Sequence, residues 1–86
     1  MRKSQRQDEL VLKALGDAIR NRRVDLELTQ EEVAAASNLH RTYVTDIENG
    51  LRNISYLTLI RVVKALECPL SHLILKKEEI LDSWSR

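Results

Sequence analysis

The sequence is poor in the residues that form turns and cross-links. Its 86 residues include two glycines, one proline, one cysteine and no phenylalanine. Few glycines and prolines disfavour a turn-rich β fold. A single cysteine excludes an intrachain disulfide and favours a reducing compartment. Aromatic residues make up only 3% of the chain, so the core must be aliphatic. The composition therefore predicts a small all-α domain.

Long apolar runs are also missing. No stretch approaches the roughly 18 residues that a membrane-spanning helix needs. The first nine residues, MRKSQRQDE, have no apolar segment behind their charges, so they do not resemble a signal peptide. We therefore expect a cytoplasmic protein that does not contact a membrane.

Catalytic and metal-binding patterns are absent as well. His40 and His72 have no metal-ligand spacing relative to each other or to Cys68, which we expect to be a small buried residue beside a turn. The adjacent glutamates at positions 31–32 and 78–79 point about 100° apart on a helix, so neither pair forms an acid–base dyad. No glycine-rich phosphate loop occurs. The sequence predicts no enzyme, metal, cofactor or small-molecule ligand.

The clearest pattern is a pair of short helices within residues 29–50, TQEEVAAASNLHRTYVTDIENG. Thr29 and Glu32 have the spacing of a capping box, which predicts a helix over residues 30–37. Asn38 tolerates left-handed backbone, so a sharp turn is expected there. A second helix over residues 40–49 ends at Gly50, a residue type preferred just after a helix.

The second of these helices has two different faces. At about 100° per residue, Val44 and Ile47 share an apolar side. The opposite side carries a compact set of hydrogen-bonding side chains, Arg41, Thr42, Thr45 and Asp46. A helix of this kind, held by a small partner helix, is the arrangement that places a recognition helix in the major groove of DNA.

Residues 15–74 resemble the lambda-repressor-like, or XRE-type, helix-turn-helix family. The resemblance rests on IRNRR (19–23), LTQEEVA (28–34), SNLHRTYVTDIENG (37–50) and the segment from 53 to 66. Within this family, HRTYVTDIENGLRNIS is similar to the controller proteins of restriction–modification systems. The resemblance implies a five-helix all-α domain that binds a palindromic operator as a homodimer and controls a restriction–modification operon and its own gene. The alternative is an antitoxin-like or phage-repressor-like protein whose role includes binding a partner protein.

The recognition face and the resemblance together predict which residues contact DNA. The expected base readers are Arg41, Thr42, Thr45 and Asp46, with Asp46 either accepting from cytosine or orienting Arg41. The residues expected at the DNA backbone are Gln30, His40, Tyr43, Arg52 and Asn53. His40 is expected either to meet a phosphate or to cap its helix. Residues 52 and 53 precede a helix N-terminus, which favours an anion, and the alternative for them is a solvated connector.

Arg23 and Glu48 form a predicted ion pair within the protein. The resemblance implies that this arginine pairs with the glutamate of the ENG motif and braces the first helix against the recognition helix. The alternative is two unrelated surface charges. Two neighbouring residues depart from the family pattern, because Arg22 stands where an apolar residue is usual and Glu27 where a glycine usually closes the first helix.

The rest of the chain completes the predicted five helices. Residues 1–7 are expected to be a flexible tail, whose basic trio Arg2, Lys3 and Arg6 is either solvated or touches DNA. Residues 8–86 are expected to form the single domain, with a first helix over residues 8–26, a fourth over 56–66 that Ser55 caps, and a fifth from about residue 70. The apolar stripe of the fifth helix runs either as one helix or with an interruption near residues 76–77.

A homodimer is expected to form through residues 70–86. The formal net charge is only +1, which gives little non-specific attraction to DNA, so two copies on one duplex would supply the missing affinity. Four apolar residues are predicted to lack partners in the monomer and to form the interface: Leu75, Ile80, Leu81 and Trp84. The alternative is that this segment folds back onto the first helix and completes the core of the monomer.

Overall fold

Five α-helices make up the computed structural model, which describes residues 3–85 and their side chains from Gln5 onward. They are α1 (Lys3–Asp25), α2 (Gln30–Ser37), α3 (Arg41–Glu48), α4 (Tyr56–Ala65) and α5 (Leu70–Trp84). No strand occurs among these residues. The predicted five-helix all-α fold is confirmed, and α5 is one uninterrupted helix. None of the described helices combines the length and apolarity that a membrane crossing requires.

The first helix is longer than predicted. It begins at Lys3 rather than at residue 8, so residues 3–7 of the expected flexible tail are helical. These residues have no apolar stripe, so the hydrophobic pattern did not predict a helix there. They are helical because lysine, arginine and glutamine are good helix formers. Arg6 is exposed on this helix, and Met1 and Arg2 lie outside the described residues.

The core is aliphatic, as the composition predicted. Its buried members come from all five helices and include Ile19, Val33, Ile47, Val62 and Leu73. At the start of α2, α3 and α4, the side chain of the N-cap residue accepts a hydrogen bond from a backbone N–H of the first turn. The sequence predicted this cap for Thr29 and Ser55, and gave it as one of two alternatives for His40. Local capping and a shared apolar interior therefore act together to define the helices.

Helix α5 folds back along α1 in the opposite direction. Leu73, near its start, lines one cavity with Ala18 on the second half of α1, whereas Leu81, near its end, lines another with Val11 on the first half. Ile80 packs against the core, so the prediction that it lacks partners in the monomer is wrong. The fold-back alternative therefore describes much of α5.

The two departures from the family pattern have structural consequences. Glu27 has φ 58°, the left-handed region that favours glycine, and a side chain there costs about 1 kcal/mol. Arg22 lies beside α5, and its guanidinium donates to the carbonyl oxygens of Leu66 at 2.9 Å and Glu67 at 3.0 Å. Carbonyls at a helix end lack intrahelical partners, so Arg22 caps α4 from a distance instead of filling the core.

Both glycines of the chain lie where α1 meets the end of α3. A Cβ on Gly16 would stand 2.5 Å from the carbonyl oxygens of Ile47 and Glu48. Gly50 has φ 73°, and a Cβ there would stand 2.8 Å from the Cα of Lys13. The absence of side chains therefore allows the backbones of the two helices to approach closely.

We predict that Gly16→Ala destabilises the protein. The added methyl group meets backbone atoms, which cannot rotate away, so the free energy of unfolding should fall by about 1–3 kcal/mol despite the better helix propensity of alanine. Urea denaturation measures the change. Asn21→Ala, at an exposed position of the same helix, is the control and should stay within about 0.5 kcal/mol. A stabilised Gly16→Ala variant would contradict the close approach.

Candidate nucleic-acid interface

The turn between α2 and α3 is built by local polar contacts. Thr29 Oγ1 accepts from the backbone N–H of Glu32 at 3.0 Å, and the Glu32 carboxylate accepts from the N–H of Thr29 at 2.9 Å, which confirms the capping box. Asn38 follows with φ 56°, confirming the left-handed turn. His40 Nδ1 then accepts from the N–H of Thr42 at 3.3 Å. Of the two predicted roles for His40, the helix cap is the one that this contact supports.

The outer side of α3 presents a polar surface. Arg41 and Thr42 are exposed, whereas Thr45 and Asp46 are half-buried. Arg41, with 60% of its side chain exposed, has its Nε 3.3 Å from a carboxylate oxygen of Glu31 on α2. An exposed ion pair of this kind contributes at most about 1 kcal/mol, so the guanidinium can leave it for another acceptor.

Asp46 pairs with Arg52 rather than with Arg41. The Nε of Arg52 lies 3.3 Å from Asp46 Oδ2, and its guanidinium carbon lies 5.1 Å from the centre of the Tyr43 ring. The alternative that Asp46 orients Arg41 is therefore wrong in this structure. Instead, Asp46 and Tyr43 together hold Arg52 at the edge of the polar surface of α3. Asn53, the next residue, is exposed in the loop before α4.

Glu48 is the centre of a buried polar cluster. Its side chain is 0% exposed. Arg23 donates to both of its carboxylate oxygens, at 2.7 and 3.0 Å, and Arg20 donates at 3.3 Å. Gln30 adds a further bond at 3.0 Å from its side-chain nitrogen. The predicted pairing of Arg23 with Glu48 is thus present in the structure, as one part of a larger network that joins α1, α2 and α3.

The hydrogen bonds of this cluster keep the buried Glu48 carboxylate ionised. Burial alone would raise the pKa of Glu48, but the hydrogen bonds from Arg23, Gln30 and Arg20 outweigh it and hold that pKa below its ordinary value. The pKa of Arg23 is raised by its hydrogen bond to Glu48. Among the described residues, no buried side-chain nitrogen or oxygen lacks a partner.

Gln30 is predicted to contact the DNA backbone, but its side chain makes its hydrogen bonds inside the protein. Its nitrogen donates to Glu48, and its oxygen accepts from the hydroxyl of Thr45 at 2.9 Å. Both ends of the side chain are therefore engaged inside the protein. Sequence reasoning also missed Arg20 and Glu31, although Arg20 stands one turn before Arg23 and Glu31 directly follows Gln30.

The four predicted interface residues do not form one patch. Leu75 and Trp84 are nine positions apart on α5, which places them on opposite sides of the helix. Leu75 is 61% exposed, beside the polar residues His72 and Glu79. Trp84 is 43% exposed and stands one turn after Leu81, which lines a shallow groove with apolar residues of α1.

Other apolar side chains are exposed in addition to Leu75 and Trp84. They are Leu10 and Val11 on α1, Val24 at the end of α1, Leu51 after α3, and Tyr56 and Leu57 at the start of α4. Leu10 and Leu51 line one groove between α1 and the end of α3. Leu10, Val11 and Leu81 line the groove beside the end of α5, so the Trp84 side of α5 adjoins further apolar surface.

Comparison with known proteins places this architecture among relatives. The family model described as helix-turn-helix matches residues 19–73. Control protein C.SmaI of Serratia marcescens is 36% identical over 63 residues, which are 73% of this chain and 75% of that protein.

Solved structures agree with that match. The regulator ClgR of the clp gene in Corynebacterium glutamicum superposes with a TM-score of 0.85 at 27% identity, over 87% of this chain and 80% of that one. The restriction–modification controller protein C.Esp1396I, solved as a tetramer with its natural 35-base-pair operator, has a TM-score of 0.77 at 30% identity, over 83% of this chain and 93% of that one.

We predict that the Glu48 cluster makes stability depend on pH. Because the folded-state pKa of Glu48 is lowered, its stabilisation is present above about pH 4.5, the ordinary value, and is lost as the pH falls through the folded-state pKa. Glu48→Gln should remove this part of the acid dependence in urea denaturation curves recorded from pH 7 down to pH 3.

Glu48→Ala should lower the free energy of unfolding at pH 7 by about 3–5 kcal/mol, because it strands the charge of Arg23. Glu78→Ala is the matched control, since Glu78 is an exposed acid whose contact with Lys77 spans 3.8 Å. Its effect should stay within about 0.5 kcal/mol. A loss below 1 kcal/mol for Glu48→Ala would mean that the cluster does not hold the three helices together.

Proposed function

This chain belongs to the helix-turn-helix family of DNA-binding transcriptional regulators, and we propose that it is a controller protein of a restriction–modification system. It binds an operator upstream of its own gene and acts on the bacterial chromosome. The observation that carries the proposal is the outer side of α3, where polar side chains lie on a helix that the Glu48 cluster fixes against α1 and α2.

Arg41 and Thr42 are the leading base readers of this proposal. Their exposure supports this role, since side chains must reach out from a recognition helix to meet base edges. The guanidinium of Arg41 matches the two acceptors O6 and N7 of guanine in a bidentate arrangement. Its pair with Glu31 orients it in the free protein and is weak enough to be exchanged for a base. Thr45 and Asp46 complete the set.

Arg52, Tyr43 and Asn53 are proposed to position the protein on the DNA backbone. Arg52 lies at the edge of the surface, where the Tyr43 ring and Asp46 support its guanidinium. Contacts of this kind fix register and orientation and carry no sequence information directly. Asp46 lowers the net charge of this edge, in keeping with the formal net charge of +1 for the whole chain.

The protein is proposed to act as a homodimer on a palindromic operator. Two-fold symmetry matches two recognition helices to half-sites whose centres lie about 10 base pairs apart, or a multiple of that. The solved operator complex of C.Esp1396I contains a tetramer of that protein. The proposed interface is the side of α5 that carries Leu81 and Trp84, together with the neighbouring apolar residues Leu10 and Val11. Leu75, on the opposite side, is left out.

A second candidate is a regulator of a chromosomal gene unrelated to restriction. The superposition on ClgR, a clp gene regulator, favours it, because the TM-score is 0.85. A gel shift with the DNA upstream of the protein's own gene, using an unrelated duplex of equal length as competitor, tests the leading proposal. Specific binding to that upstream DNA is expected. Binding only to sites elsewhere in the genome would favour the second candidate.

We predict different effects for two arginines of the recognition surface. Arg41→Ala should weaken operator binding by about 1–3 kcal/mol and relax the preference at one or two base pairs. Arg52→Ala should weaken binding to all sequences and reduce the slope of log K against log salt concentration by about one. Fluorescence anisotropy on operator variants at several salt concentrations measures both effects. A uniform loss for Arg41→Ala would identify it as a backbone contact.

We also predict that Trp84→Ala weakens the dimer at least about tenfold, since large aromatic side chains dominate interface energies. Leu75→Ala is the matched control, because it truncates another exposed apolar side chain on the opposite side of the same helix. Sedimentation equilibrium at micromolar concentrations measures both. Dissociation by Leu75→Ala alone would move the interface to the other side of α5, and a wild-type monomer of 10.0 kDa at tens of micromolar would contradict the dimer.

A further inference from the structure

We propose that Thr45 contacts DNA only as a hydrogen-bond acceptor, so that it selects an amino group of a base, and that Gln30 is a positioning residue that holds it in this state. This inference rests on the proposed function and makes it more specific, since it assigns the class of base that Thr45 reads. It also replaces the predicted contact of Gln30 with a phosphate.

Glu48 determines which group donates in each hydrogen bond of the chain from Glu48 through Gln30 to Thr45. An ionised carboxylate has acceptors and no donor, and this one is buried and receives bonds from Arg20, Arg23 and Gln30. Gln30 must therefore turn its amide N–H groups toward Glu48. Its carbonyl oxygen then points the other way, toward Thr45 Oγ1 at 2.9 Å. Because this oxygen is also an acceptor, the bond between them requires the proton of the Thr45 hydroxyl.

The hydroxyl of Thr45 has a second inward contact. Thr45 Oγ1 lies 3.1 Å from the backbone carbonyl oxygen of Arg41, which is likewise an acceptor. A hydroxyl carries one proton and two lone pairs. Whichever of the two oxygens receives the proton, none remains for DNA, and only the lone pairs of Thr45 are available outward.

Thr42 is in a different situation. It is exposed on the same surface, and within the described part of the chain its hydroxyl makes no comparable inward bond. Its proton can therefore be directed either way, so it can donate to one base or accept from another. The two threonines share their chemistry but differ in what the protein leaves free, which makes Thr42 a matched control.

The major groove distinguishes donors from acceptors at each base. Adenine N6 and cytosine N4 are amino donors, whereas guanine O6, guanine N7 and thymine O4 are acceptors. An acceptor placed against another acceptor leaves both unpaired, which is unfavourable in a desolvated interface. At the base that it contacts, Thr45 should therefore prefer adenine or cytosine and disfavour guanine and thymine.

The test measures binding of the wild-type protein to an operator half-site in which every base pair is varied in turn. Comparison with Thr45→Val, which keeps the shape and lacks the hydroxyl, identifies the position that Thr45 reads. The expected result is an adenine or cytosine there, preferred about three- to tenfold by wild type and not by Thr45→Val. Thr45→Ser should keep the preference. Thr42→Val should leave the base preference at this operator position unchanged.

A base analogue tests the acceptor role directly. Purine in place of adenine, or 2-pyrimidinone in place of cytosine, removes the amino group from the position identified. Wild-type binding should fall about three- to tenfold, whereas binding of Thr45→Val should not change. Gln30→Met should reduce the base preference at the same position by about threefold, without a uniform loss of affinity for all sequences. A uniform loss would instead assign Gln30 to a phosphate and overturn its positioning role.

The outcomes separate this inference from the function on which it rests. Wild-type protein that shows no preference at any position would overturn both. A specific operator in which Thr45 faces guanine or thymine, or in which Thr45→Val alters no position, would overturn the inference alone. Thermal unfolding of each variant accompanies the binding measurements, so that a loss of fold is not read as a loss of contact.

Discussion

The buried carboxylate of Glu48 is the constraint on which the arrangement of α1, α2 and α3 depends. It stands at the end of α3 and receives hydrogen bonds from Arg20 and Arg23 on α1 and from Gln30 on α2. Desolvation offsets much of the attraction in a buried ion pair, so the main effect of this cluster is geometric. Its geometric effect is definite, because the carboxylate is satisfied only when all three helices are in place. Gly16 lies at the same junction and allows the backbones to approach closely enough.

This interior arrangement accounts for the character of the recognition surface. The side chains that face outward from α3 are attached to a helix that cannot rotate without breaking the Glu48 contacts. Their charges are also moderated, since Glu31 lies beside Arg41 and Asp46 beside Arg52. These exposed pairs contribute little to stability, yet they reduce the attraction to any nearby phosphate. A protein with so little net positive charge must therefore depend on correctly placed contacts rather than on general attraction to DNA.

Local features of the fold were predictable from sequence, and distant side-chain partners were not. The caps at Thr29 and Ser55 and the turn at Asn38 depend on neighbours a few residues away, so short sequence patterns contain them. Arg22 reaches carbonyls at residues 66 and 67, and Gln30 reaches residues 45 and 48. These partners lie 15 to 45 residues apart in the sequence, so no local pattern contains them. The grouping of Leu75 with Trp84 was a different kind of error, because helix geometry alone places them on opposite sides. The partners of Ile80 became known only with the direction in which α5 packs.

The position of α1 connects the recognition surface to the proposed dimer interface. This helix of 23 residues is about 35 Å long and contacts α3 through Gly16, Arg20 and Arg23. Along another side it carries α5, from Leu73 near Ala18 to Leu81 near Val11. A dimer formed through the end of α5 would therefore hold the two recognition helices at a separation set by one rigid element. Since half-sites must match that separation, the packing of α1 would determine operator spacing without touching DNA, and the side chains on α3 would determine which bases occupy each half-site.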